Sequence, residues 1–134
     1  MTQVVVPVRY PLTDHSRATV ARAIEIAEER DAALTVVHVN LYQENHSISR
    51  RDLKRAVERE FGTVPNARYT VRSGLLVEET LLDEIAAEEA DVVVIGSKQV
   101  SRWRRMIRRL VDDPDIEDFL RNELDCEVVT ASVN

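Results

Sequence analysis

Four consecutive β-branched residues, Val92-Val93-Val94-Ile95, run straight into Gly96-Ser97-Lys98. Successive strand residues point to opposite faces, so this segment needs apolar cover on both sides. An interior strand of a parallel sheet, with helices on each face, supplies that cover. Val4-Val5-Val6-Pro7-Val8 and Leu34-Thr35-Val36-Val37-His38-Val39 repeat the pattern, and Pro7 removes one ladder donor. Ala67 to Arg72 alternates and suits a strand nearer an edge, with a break at Ser73-Gly74. Glu127-Val128-Val129-Thr130-Ala131 reads as the last strand.

Helical spacing fills the intervals. Val20, Ala23, Ile24 and Ala27 recur on one face of a helix that Thr13 or Asp14 can cap. Residues 40–49 are polar and read as a loop. Ser49 caps a helix with the stripe Leu53, Val57 and Phe61, and Gly62 ends it. Leu76 to Glu89 turns Leu81, Leu82, Ile85 and Ala86 toward the core. Val100 to Leu110 carries Trp103, Ile107 and Leu110 on one face. Pro114 breaks it, and Ile116 to Leu124 resumes a helix. Strands alternating with helices imply right-handed crossovers and an α/β fold of three layers. Ligands of such sheets bind beyond the carboxyl ends of the strands, which places the expected crevice at Gly96-Ser97-Lys98.

The 134 residues suit one domain, 1–134. No apolar run reaches the roughly 20 residues that span a bilayer, and no secretory leader is recognisable, so a cytoplasmic location is expected. The single cysteine, Cys126, permits no internal disulfide and reads as a small buried residue. His15, His38 and His46 have no metal-ligand spacing, so no metal is expected. Ser16, Ser97 and Ser101 lie in no Gly-x-Ser-x-Gly elbow, and Arg72-Ser73-Gly74 offers no phosphate-accepting aspartate after the third strand. Nothing here specifies an enzyme.

The net charge is −6, which disfavours nucleic acid as a partner. Only two of the eighteen basic residues are lysines, Lys54 and Lys98. Such acidic, lysine-poor chains resemble proteins of salt-loving archaea, although GC-rich coding also enriches arginine. Six basic residues and no acidic one lie between Lys98 and Arg109, and five acidic ones between Asp112 and Asp118. Charge compensation between these blocks is the expected reading. An anionic ligand or protein partner for Arg102, Arg105 and Arg109, which share a helical face, is the sharper one.

Several segments resemble the universal stress protein family. They are Val4-Val5-Val6-Pro7-Val8 with its loop to Ser16, Leu34-Thr35-Val36-Val37-His38-Val39, Ala90-Asp91-Val92-Val93-Val94-Ile95-Gly96-Ser97 and Asp125-Cys126-Glu127-Val128-Val129. The resemblance implies an open parallel five-stranded sheet in the order 3-2-1-4-5, with a crevice between the first and fourth strands. It also implies homodimers through the last strand, Glu127 to Ala131, and a role in stress tolerance. Many members bind ATP or a related adenine nucleotide through a glycine, two residues, a glycine, nine residues, then glycine with a hydroxyl residue. Gly96 matches the first glycine. Gln99 stands at the second, Arg109 and Leu110 at the closing pair, and Arg9 where the family carries an acidic residue. About five residues are inserted around Asp112 to Ile116.

The expectation is therefore a non-enzymatic binding or regulatory module. Its candidate ligand residues are Arg9, Val39, Gly96, Ser97, Lys98, Arg102 and Arg109, and its ligand is an anion. The alternative is ATP or AMP bound as in the family, with weak hydrolysis.

Overall fold

The computed structural model describes residues 2–110 and 124–131, without the side chains of Lys98 and residues 106–110. The expected acidic block Asp112 to Asp118, the break at Pro114 and the helix from Ile116 lie outside the described residues, Leu124 apart.

The chain alternates β1 (Gln3–Pro7), α1 (Asp14–Glu29), β2 (Ala33–Leu41), α2 (Arg50–Phe61), β3 (Ala67–Gly74), α3 (Val77–Ala87), β4 (Val92–Gly96), α4 (Ser97–Leu110) and β5 (Glu127–Ala131). All five strands are parallel, in the order β3-β2-β1-β4-β5. The period of two divides each strand between the outer layers. Val4, Val6, Val92 and Val94 pack with Val20, Ala23 and Ile26 of α1 and Leu53 and Val57 of α2. Val5, Val93 and Ile95 face the other way, onto Leu81 and Ile85 of α3 and Trp103 of α4.

Local signals account for the helix ends. The Thr13 side chain accepts from the Ser16 amide, capping α1. Ser49 and Asp52 form a reciprocal capping box at α2. Gly62 closes α2 at φ 72°, a left-handed angle that glycine adopts without strain.

Five local expectations change. β3 continues through Ser73 and Gly74, where a break was expected, because both stay paired with Asn40 and Leu41 of β2. β2 runs on to Leu41, so the loop begins at Tyr42 rather than at residue 40. α4 begins at Ser97, three residues ahead of the expected Val100. Ile26 joins Val20, Ala23 and Ala27 as a buried apolar residue of α1, while Ile24 packs at the margin. Ala86 is exposed, because α3 turns only Leu81, Glu84 and Ile85 fully inward.

β1 and β4 separate early, and Pro7 explains how. The Gln3 carbonyl accepts from Asp91 beside β4, and the Val8 amide donates to Val37 of β2 at 2.8 Å. Backbone groups alternate sides along a strand, so odd residues of β1 face β4. The donor missing at Pro7 is therefore a β4-facing one. Pairing between the strands stops at Val5↔Val93, and the sheet opens at its carboxyl end.

Candidate functional site

Beyond that opening lies a crevice of about 610 Å³. Its deeper wall is apolar, with buried Val8 and Val39 from the sheet and Leu81 from α3. The loop after β1 contributes Arg9 and Tyr10, and the first turn of α1 contributes His15 and Ser16. The loop after β2 contributes Glu44 and His46. Gly96, Gln99 and Arg102 close the β4–α4 side.

Hydrogen bonds fix the two loops. Ser16 is 7% exposed, and its hydroxyl accepts from the Thr13 hydroxyl at 3.2 Å and from the Arg9 amide at 3.4 Å. This draws the β1–α1 loop onto the start of α1. Asn40 does the same for the β2–α2 loop. Its amide donates to the Ile48 carbonyl at 3.0 Å, and its side-chain oxygen accepts from the Ile48 amide at 3.1 Å. That paired contact holds the segment containing Glu44 and His46 against the crevice.

His38 is half-buried, with Nδ1 3.2 Å from the Val8 carbonyl. A carbonyl can only accept, so Nδ1 carries the proton. Burial holds the imidazole pKa below its ordinary value, against the bond to Val8. The edge of the Tyr10 ring meets the His38 ring with centroids 6.3 Å apart. Cys126 is buried away from the crevice, and its thiol is pushed up to about 11, chiefly by burial and then by the charge of Asp91.

The start of α4 differs from a glycine loop. The chain enters the helix directly from Gly96, with no intervening loop. Gln99 Oε1 accepts from the Gly96 amide at 2.8 Å. The side chain at the position of the second glycine thus occupies a donor that a phosphate oxygen could otherwise use. Gly96 itself is closely surrounded, since an added Cβ would stand 3.2 Å from Thr19 Oγ1.

Of the residues expected at the site, Arg9, Val39, Gly96 and Arg102 line the crevice. Ser97 opens α4 and is exposed, outside the lining. Lys98 and Arg109 belong to α4, and their side chains lie outside the described residues. The sequence reading missed Tyr10, His15, His38, Glu44, His46 and Gln99. One signal was available for most of them. They sit at or just beyond the carboxyl ends of β1 and β2, the side where ligands of such sheets bind.

No family model matches the chain, and no curated protein matches it by sequence. Solved structures do match. A universal stress protein in complex with cAMP is 19% identical with a TM-score of 0.67, covering 99% of this chain and 98% of that one. The universal stress protein UspA from Lactobacillus plantarum is 20% identical with a TM-score of 0.61, covering 97% of each chain. The universal stress protein from Archaeoglobus fulgidus in complex with dAMP is 16% identical with a TM-score of 0.57, covering 98% of each. This chain has the universal stress protein fold. The likeness establishes the architecture and strand order.

Proposed function

We propose that this chain is a single-domain, universal-stress-type binding module whose crevice takes an adenine nucleoside monophosphate or a ligand of that class. It acts by occupancy rather than turnover, in the cytoplasm, as part of a stress response. One observation carries the reading. A crevice of about 610 Å³, apolar at Val8, Val39 and Leu81 and cationic at Arg9 and Arg102, lies where β1 and β4 part. Its volume is within the usual range for small-ligand sites, about 300–1,000 Å³. An apolar wall suits a purine, and two guanidinium groups suit an anion. The cAMP and dAMP held by proteins of the same fold, each with one phosphate, support the same class.

A triphosphate fits this reading less well. Its extra phosphates call on more backbone donors, and Gln99 already takes one of them, the Gly96 amide. The dimer is proposed through β5, the edge strand of the sheet beside β4.

Calorimetric titration with AMP, cAMP and ATP, at moderate and high salt, tests the assignment. Saturable binding of AMP or cAMP below about 100 μM is expected, with ATP weaker. ATP binding tighter than AMP, or no saturable binding of any of the three, overturns it.

A further inference from the structure

The Gly96 amide is a sheet donor that has lost its strand. The Glu127 amide bonds to the Asp91 carbonyl at 2.9 Å, so by alternation Glu127, Val129 and Ala131 are the β5 residues that bond across to β4. Their register partners Val92, Val94 and Gly96 turn their own backbone groups the other way, toward β1. Pairing with β1 has already ended at Val5↔Val93. The Gly96 N–H therefore faces the gap where the two strands part, and Gly96 lines the crevice there. Gly96 is buried, and a buried N–H without a partner is costly.

Gln99 supplies the partner. Its Oε1 lies 2.8 Å from the Gly96 amide. A backbone N–H can only donate, so the oxygen end of the carboxamide is the end fixed on Gly96. The bond has a structural part. A glutamine three residues into a helix, accepting from the amide just before it, is one half of a capping box, and Gly96 has no side chain to supply the other half. It also has a part in the crevice, because Gln99 belongs to the same lining and is only half-buried. An anion in the crevice and the Gln99 carboxamide compete for one donor. The charged side chains of the lining, histidines apart, are Arg9, Arg102 and Glu44. Two guanidinium groups against one carboxylate match the single charge of a phosphodiester. A triphosphate carries more charge and gains more from each further donor.

We propose that Gln99 is a specificity-determining residue of the crevice, which holds triphosphate ligands below monophosphate ones by occupying the Gly96 N–H. This rests on the adenine-nucleotide reading and adds to it the side chain that sets the preference within that class. The carboxamide is a tethered competitor. A phosphate oxygen that reaches Gly96 gains only the difference between its own bond and the one it displaces. Hydrogen bonds to charged groups are roughly twice as strong as neutral ones, so removing the competitor favours the ligand richest in charge.

Calorimetric titrations of the full chain and its Gln99→Ala variant with ATP, cAMP and adenosine test this. Gln99→Ala frees the N–H, and the ratio of ATP to cAMP affinity should rise about tenfold. Adenosine, which has no phosphate, should change little. Gln99→Glu keeps an acceptor for the Gly96 amide, as either residue does in a capping box, and adds a carboxylate to the lining. ATP should weaken relative to cAMP in that variant. An unchanged ratio in Gln99→Ala, with its melting transition preserved, overturns the inference and leaves the nucleotide reading intact. So does a fall in both ATP and cAMP affinity, which would mean that Gln99 donates its own amide N–H to the ligand. If Gln99→Ala does not fold, Gln99→Glu decides in the same way, and an unchanged ratio there overturns the inference. ATP binding that appears only in Gln99→Ala, with no nucleotide bound by the natural chain, supports the inference and overturns the monophosphate reading. No nucleotide bound by the natural chain or by either variant overturns both.

Discussion

His38 shows how one side chain links the sheet to the crevice. Its ring closes the Val8 carbonyl where β1 leaves the ladder, and it supports Tyr10 at the rim. The bond selects the Nδ1–H tautomer, and burial makes the charged ring costly. In the unfolded chain a histidine takes up its proton near pH 6.5. The folded pKa is lower, so between the two values the unfolded state binds more protons. His38 therefore contributes stability that is complete above about pH 6.5 and is lost as pH falls through the folded value. His38→Gln removes the titrating group and keeps a donor for Val8. Urea midpoints measured from about pH 7.5 to 5.5 should fall more for the natural protein than for this variant. Parallel pH profiles would show that burial of His38 contributes nothing to acid sensitivity. The alternation of the second strand already marked His38 as packed or hydrogen-bonded. That it lines one crevice with His15 and His46 was hidden, because His46 lies 8 positions beyond His38 and 31 beyond His15, spacings with no common sequence period. Only the return of β2 beside β1 brings them together.

At the scale of elements, ends that depend on a residue and its near neighbours were readable. Thr13, Ser49 and Gly62 each mark the cap they form. The start of α4 was harder to place. Gly96-Ser97-Lys98 has the composition of a turn, yet Gln99 satisfies the Gly96 amide from three residues on and lets the helix begin at once. The loop after β2 misled for a related reason. Its polarity is real, but Asn40 is 9% exposed and spends both ends of its amide on Ile48. A buried amide that loses its partners costs about 1–3 kcal/mol. Asn40→Ala removes this side chain and leaves the Ile48 backbone groups without it. The expected loss of stability is about 2 kcal/mol by urea denaturation. Nucleotide affinity should fall as well, because Glu44 and His46 lose their anchor to β2. Asn40→Asp retains the acceptor for the Ile48 amide but sets a carboxylate against the Ile48 carbonyl, so it should also destabilise, and more so above the carboxylate range than below it. Unchanged affinity in Asn40→Ala would mean that the loop holds its position by other contacts.

Across the molecule, the β-branched runs at residues 4–8 and 92–95 identified the interior strands, and the resemblance supplied their order, which the fold reproduces. The order leaves β5 with one side beside β4, and that arrangement makes the proposed dimer testable by backbone chemistry alone. The Glu127 amide donates to Asp91 at 2.9 Å. By alternation, Glu127, Val129 and Ala131 direct their backbone groups to β4, while Val128 and Thr130 direct theirs away. Strand-to-strand association at this edge needs the outward N–H groups of Val128 and Thr130. Thr130→Pro deletes one of them without taking a donor from the β4–β5 ladder, and proline is tolerated on edge strands for that reason. Thr130 is also exposed, so the ring displaces no core side chain. Sedimentation at working salt should give a dimer for the natural chain and a monomer for Thr130→Pro with its helical signal retained. A natural chain that sediments as a monomer at high concentration rules out the β5 interface. A variant that remains a dimer places the contact elsewhere on the molecule.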